Sequence, residues 1–164
     1  MPLGGVIISD EIAKTFDDRV FPGGLTYSGH PLACAAAVAT LDAMAEEKIV
    51  ENAADMGERV IKPLIQQLMA KHKVIGEVRG RGVFWALDLV KDRTTREPLA
   101  PYGGTSPAMA ELVGACKKLG LMPFTNYNRM HICPPCNVSE AELREGFAIL
   151  DQAFRAISSH YTGK

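Results

Sequence analysis

The chain has 164 residues, 47% of them apolar and 23% charged, which describes an ordinary globular protein with one good core and about one domain. With 18 basic and 19 acidic residues the net charge is −1, giving no support to nucleic-acid binding or to electrostatic docking on anionic membranes. No apolar run reaches the roughly 18 residues of a membrane span. Met1-Pro2-Leu3-Gly4-Gly5 lacks the basic start and apolar core of a secretion signal, so a cytoplasmic location is the default expectation. Four cysteines (Cys34, Cys116, Cys133 and Cys136) are too few for a disulfide framework, and reduced thiols are expected.

In chain order, Val6-Ile7-Ile8-Ser9 reads as a short buried strand and Glu11 to Phe16 as a helical turn. Residues 17 to 30, with Pro22, Gly23, Gly24 and Gly29, form a loop. An alanine-rich helix follows from Leu32 to about Glu46, with Pro31 near its first turn, where a missing N–H costs little. A second helix runs from about Ile49 to His72 on the stripe Val50, Ala53, Met56, Val60, Ile61, Leu64, Leu68. Pro63 interrupts it, and a kink or a change of hydrogen bonding near Arg59 is expected.

Val74 to Val90 reads as two extended segments joined through glycines, with Val83, Trp85, Leu87 and Leu89 on one face. The run Arg79-Gly80-Arg81-Gly82 is either an anion site or a glycine-permitted bend whose arginines pair locally. Residues 91 to 106 form a long polar loop. Ser106 caps a helix with Pro107 at its first position, and Gly120 ends it. Leu121 to Ile132 is strand-like again. Ser139 and Glu142 have capping-box spacing, Val138 and Leu143 can staple, and Leu143, Phe147, Leu150, Phe154 and Ile157 line the core side of the last helix. The expected fold is mixed α/β of the α+β kind, with helices on one face of a small, mostly antiparallel sheet.

Chemistry could sit in three places. In Gly24-Leu25-Thr26-Tyr27-Ser28-Gly29-His30-Pro31-Leu32-Ala33 a turn presents hydroxyl and backbone N–H groups at the head of a helix. That is either a phosphate cradle or an ordinary loop-to-helix junction. On a strand, Arg129 and His131 point the same way, and an arginine fork suits a carboxylate or sulfonate; a structural ion pair is the alternative. Cys133-Pro134-Pro135-Cys136 spells C-x-x-C, but the helix signal starts only at Ser139 and no second pair completes a zinc site. His30 is expected to be structural, fixing the turn before Pro31.

The ten residues Gly24 to Ala33 closely resemble a segment of the class III pyridoxal-phosphate-dependent aminotransferases, a branch of fold type I. Pro2-Leu3-Gly4-Gly5-Val6, the Arg-Gly-Arg-Gly strand and the remaining chain follow the same family, so the resemblance covers nearly all residues. It implies that Thr26 binds the phosphate of pyridoxal 5'-phosphate across a dimer interface. It also implies a carboxylate-binding arginine three residues before a proline; His131 occupies that place and Arg129 lies two residues earlier. Residues 1–31 are then a remnant of the large cofactor-binding domain, 32–47 a connecting helix and 48–164 the C-terminal small domain.

The family's cofactor lysine lies shortly before the segment matching Pro2-Leu3-Gly4. None of Lys14, Lys48, Lys62, Lys71, Lys73, Lys91, Lys117, Lys118 or Lys164 stands in its motif. The expectation is the C-terminal part of a transaminase that exchanges an amino group between an amine or amino acid, an ω-amino acid or taurine-like donor included, and a 2-oxo acid such as pyruvate. By itself the chain is expected to be inactive, to bind the cofactor weakly or not at all, and to form a homo-oligomer through apolar surface. A non-catalytic binding module derived from that domain is the alternative.

Overall fold

The computed structural model describes residues 1–163, and the chain divides into two compact units, Met1–Lys48 and Ile49–Lys164. In the first unit the helix α1 (Asp10–Lys14) starts at Ser9, whose hydroxyl accepts from the Ile12 N–H at 3.3 Å. A turn-rich stretch leads into α2 (Pro31–Glu46). The expected strand at residues 6–9 does not form: all four residues are exposed. A strand is held by a ladder partner, and among the described residues these four have none, so their apolar character alone cannot order them as a strand.

The second unit opens with α3 (Ile49–Asp55), a π-helical segment (Met56–Ile61) and α4 (Lys62–Lys71). Pro63 offers no N–H to a carbonyl one turn back, and the chain answers by widening the preceding turn rather than by breaking. The expected disturbance near Arg59 is therefore a π-helical turn.

Next come β1 (Ile75–Arg81) and β2 (Phe84–Leu89), α5 (Pro107–Lys118), β3 (Phe124–Asn126) and β4 (Arg129–Ile132), and α6 (Glu140–Ala156) with a short 3-10 turn at Ser158–His160. The strands form an antiparallel sheet in the order β1-β2-β4-β3. A two-residue turn joins β1 to β2. Gly82, its first residue, has φ +55°, a conformation that glycine adopts without steric cost.

Alternation along β2 and β4 divides the sheet. Trp85, Leu87, Leu89, Met130 and Ile132 enter the core beneath the helices, against residues such as Ile61, Leu112, Phe147 and Phe154. Phe84, Ala86, Asp88, Arg129 and His131 lie on the other face. The fold is thus mixed α/β, with helices on one side of an antiparallel sheet, as the pattern predicts. Capping follows the sequence closely: Ser106 accepts from Met109, and Ser139 and Glu142 make the reciprocal box. Gly120 leaves α5 at φ +89°.

The polar segment 91–106 is tied down rather than loose. Arg93 Nε donates to the carbonyls of Lys73 and Ile75, and Nη2 to those of Met69 and His72, satisfying the end of α4 and the entry to β1. Val90 pairs with Pro98, and the Lys91 carbonyl accepts from the N–H groups of Thr162 and Gly163. Buried His72 places Nε2 at 2.9 Å from Asp151 Oδ1, and Lys71 and Arg155 flank the same carboxylate. The hydrogen bond from His72, then those from Arg155 and Lys71, holds Asp151 well below the usual carboxylate range.

Candidate functional site

Thr26 belongs to the first unit. It sits exposed in the turn before α2, where Gly29 has φ +68°. The turn uses three of its own N–H groups: Leu25 donates to the Ser28 hydroxyl, Ser28 to the Leu25 carbonyl and His30 to the Tyr27 carbonyl. Among the described residues the Thr26 hydroxyl and the N–H groups of Thr26, Tyr27 and Gly29 have no acceptor. Pro31 stands at the head of α2, and His30 gives its cap no side-chain bond. A short arc of free donors with a hydroxyl in its middle is chemically suited to an oxyanion. His30 Nδ1 is buried without a partner, so its role in the turn is packing, beside the Tyr27 ring at 6.0 Å, rather than hydrogen bonding.

Arg129 belongs to the second unit and opens β4 on the bare face of the sheet. Asn128 fixes that start, donating from Nδ2 to the Leu89 carbonyl while its own carbonyl accepts from the Leu89 N–H. Register sets Arg129 directly opposite Asp88. Its Nε lies 3.3 Å from Asp88 Oδ1, and the other carboxylate oxygen is 3.4 Å from Arg79 Nη2. Arg79 reaches Glu77 at 3.0 Å. The result is a line of alternating charges, Glu77, Arg79, Asp88, Arg129, lying across three strands. These pairs are substantially solvated, so each contributes at most about 1 kcal/mol.

The Nη groups of Arg129 have no partner among the described residues. A carboxylate behind Nε and an unengaged fork in front leave it able to take a second planar anion. Arg79, Ala86, Asp88, Asn128, Arg129 and Arg96 line one concave polar patch. Its two carboxylates, Glu77 and Asp88, are both engaged by arginines.

His131 shares the face of Arg129 but not its surroundings. Its ring lies 5.9 Å from that of Phe84 and 5.2 Å from that of Phe124, and Nδ1 is buried without a partner. The sequence pattern finds Arg129 and misses Asp88 and Arg79, because strand register, not spacing along one strand, brings them together. The polar position of Asp88 in an otherwise apolar strand is the one available signal.

The arginines of the Arg-Gly-Arg-Gly run divide in the same way: Arg79 pairs locally with Glu77 and Asp88, which favours the structural reading. Cys133 and Cys136 are free and exposed. The chain turns just after Pro135, whose carbonyl accepts from the Val138 N–H at 3.0 Å. Burial pushes the Cys116 thiol up, away from thiolate chemistry. Among the described residues no group of three or more His, Cys, Asp or Glu could hold a metal ion. Lys164 lies outside the described residues.

A layer of helices on one side of an antiparallel sheet, with the Arg129 fork on the other, defines a small α/β domain. A family model described as aminotransferase class-III matches residues 1–154, and the chain belongs to that family. The 5-aminovalerate aminotransferase DavT of Pseudomonas aeruginosa is 37% identical over 158 residues, covering 93% of this chain and 34% of that protein. The taurine–pyruvate aminotransferase of Bilophila wadsworthia is 31% identical, covering 98% and 37%. Among solved structures, the taurine:2-oxoglutarate aminotransferase of Bifidobacterium kashiwanohense, in complex with PLP and glutamate, superposes with a TM-score of 0.84 at 35% identity, covering 94% of this chain and 34% of that one. The chain spans about a third of the length of these relatives.

Proposed function

We propose that this chain is part of a pyridoxal-phosphate-dependent aminotransferase. It would exchange an amino group between an amine or amino acid and a 2-oxo acid, with ω-amino acids or taurine-like amines as donors and pyruvate as acceptor. The observation that carries the reading is the family match over residues 1–154, together with relatives named for 5-aminovalerate and for taurine and pyruvate. Bound, the cofactor supplies an electron sink for the carbon that exchanges its amino group.

The residues present fit one end of that group. Thr26 offers a hydroxyl and the neighbouring N–H groups to phosphate oxygens, and no acceptor in the turn competes for them. Arg129 offers its fork to the substrate's carboxylate or sulfonate, steadied from behind by Asp88. In this reading residues 1–31 belong with the large cofactor-binding domain, 32–47 are the connecting helix, 48–164 are the small domain, and the assembly is a homo-oligomer.

No lysine of this sequence stands in the position that the family resemblance assigns to the cofactor, so the 164 residues alone are expected to be inactive. The test is to assay the chain alone, and then joined to any coding sequence adjoining it, for alanine formation from pyruvate with 5-aminovalerate, 4-aminobutyrate and taurine. Activity of the longer product with one of these donors, reduced mainly through KM by Arg129→Ala, is the expected result. No alanine from any donor removes the reading. A yellow 164-residue protein, with cofactor reducible onto one lysine, overturns the expected inactivity.

A further inference from the structure

We propose that the outer edge of β1 is a self-association surface, on which β1 of a second copy pairs antiparallel about Val78. The inference goes beyond the catalytic reading and does not depend on it.

The two-residue turn makes Arg81 and Phe84 a hydrogen-bonded pair. The register then makes Arg79 with Ala86, and Glu77 with Asp88, hydrogen-bonded pairs as well. The backbone groups of Val78 and Gly80 therefore point away from β2. β1 is the terminal strand of the sheet, and Gly80 is exposed, so solvent reaches its backbone directly. A seven-residue strand with an open side is a template for another strand.

The side chains choose both the occupant and the register. A two-fold axis at Val78 sets Glu77 opposite the partner's Arg79, Arg79 opposite the partner's Glu77, and Gly76 opposite the partner's Gly80. Both charged pairs are opposite in sign and lie on the bare face, where nothing crowds them. Moving the axis two residues, to Gly80, keeps the outward backbone groups in register but sets Arg79 against the partner's Arg81. Moving it by one residue sets like charges together on the axis itself, Arg79 against the partner's Arg79 or Glu77 against the partner's Glu77. The strand is thus complementary to itself at one register only. Pairing there joins two four-stranded sheets into one of eight strands, with the helices of both copies on the same side.

Sedimentation velocity on the 164-residue chain reads the outcome. The wild type is expected to be dimeric. Glu77→Arg and Arg79→Glu, each placing like charges across the axis, should weaken dimerisation at least tenfold. An equimolar mixture of the two variants should recover the dimer, because each supplies the charge that the other lacks. A monomeric wild type, a dimer untouched by either substitution, or a mixture of folded variants that stays monomeric overturns the proposal. Hydrogen exchange on the unmodified chain is independent of how the variants fold. The Val78 N–H should exchange slowly when concentrated and quickly when dilute, while that of Arg79 stays protected throughout. Equal Val78 exchange at both concentrations also overturns it.

Discussion

Gly57→Ala tests how closely the helical layer approaches the β1–β2 turn. Gly57 is buried in the π-helical segment, and a methyl group added there would stand 2.5 Å from Gly82 Cα and 2.6 Å from its carbonyl carbon. That is about 1 Å short of ordinary contact. Neither neighbour is a flexible side chain, so relief requires the helix and the hairpin to separate. Overpacking of this kind costs about 3 kcal/mol at the upper end of its usual range. Alanine recovers about 1 kcal/mol over glycine in a helix. The net expectation is a loss of about 2 kcal/mol.

Gly146→Ala on α6 is the control, since nothing lies within 4 Å of its added carbon, and it should gain about 0.5–1 kcal/mol. Urea unfolding followed by the single tryptophan suits both variants. Trp85 Nε1 donates to the Gly82 carbonyl at 2.7 Å, so the probe sits at the point of strain. With an m-value of about 2 kcal/mol/M, the midpoint of Gly57→Ala should fall by about 1 M and that of Gly146→Ala should rise. A Gly57→Ala midpoint equal to or above the wild type would refute the close approach.

Three further outcomes are expected. Asp151 is ionised more readily in the folded chain than in the unfolded one, so its contribution is complete above the unfolded value of about 3.9 and fades as pH falls below it. Asp151→Asn should therefore be less stable than wild type at neutral pH and show a flatter loss of stability on acidification, read by urea midpoints at several pH values. Ser139→Ala removes one half of the capping box and should cost about 1 kcal/mol, detectable as a lower thermal midpoint. Phe154→Ala empties a fully buried position and should cost about 3–5 kcal/mol in the same unfolding assay.

Sequence pattern foretells the elements whose cause is local. Ser139 and Glu142, Ser106 before Pro107, and Gly120 each act within one turn of chain, so they are recognisable without partners. The alternation from Val83 to Leu89 reveals which face is buried, because every second residue reports the same environment. The predicted strand at residues 6–9 fails for the opposite reason: pairing is non-local, and apolar character says nothing about whether a neighbour is present. The Asp88–Arg129 pair escapes notice on the same ground, since 41 positions of chain separate two residues that β2 and β4 set opposite each other. At Pro63 the sequence reveals that one hydrogen bond is missing, but not that a wider turn absorbs the loss. For Thr26, the local pattern by itself favours a plain turn over a phosphate cradle, and only the likeness of ten consecutive residues turns the balance.

The bonds made by Arg93 bear on where a trypsin-like protease can cut. Such an enzyme must draw an arginine side chain fully into a deep acidic pocket. Arg93 would first have to release the carbonyls of Met69, His72, Lys73 and Ile75. Arg96, three residues on, is exposed and stands on a backbone already turned outward at φ +59°. Two arginines in the same loop therefore differ sharply in susceptibility. Of these two bonds, the one after Arg96 is expected to be cut first, and the one after Arg93 only once the end of α4 has come undone.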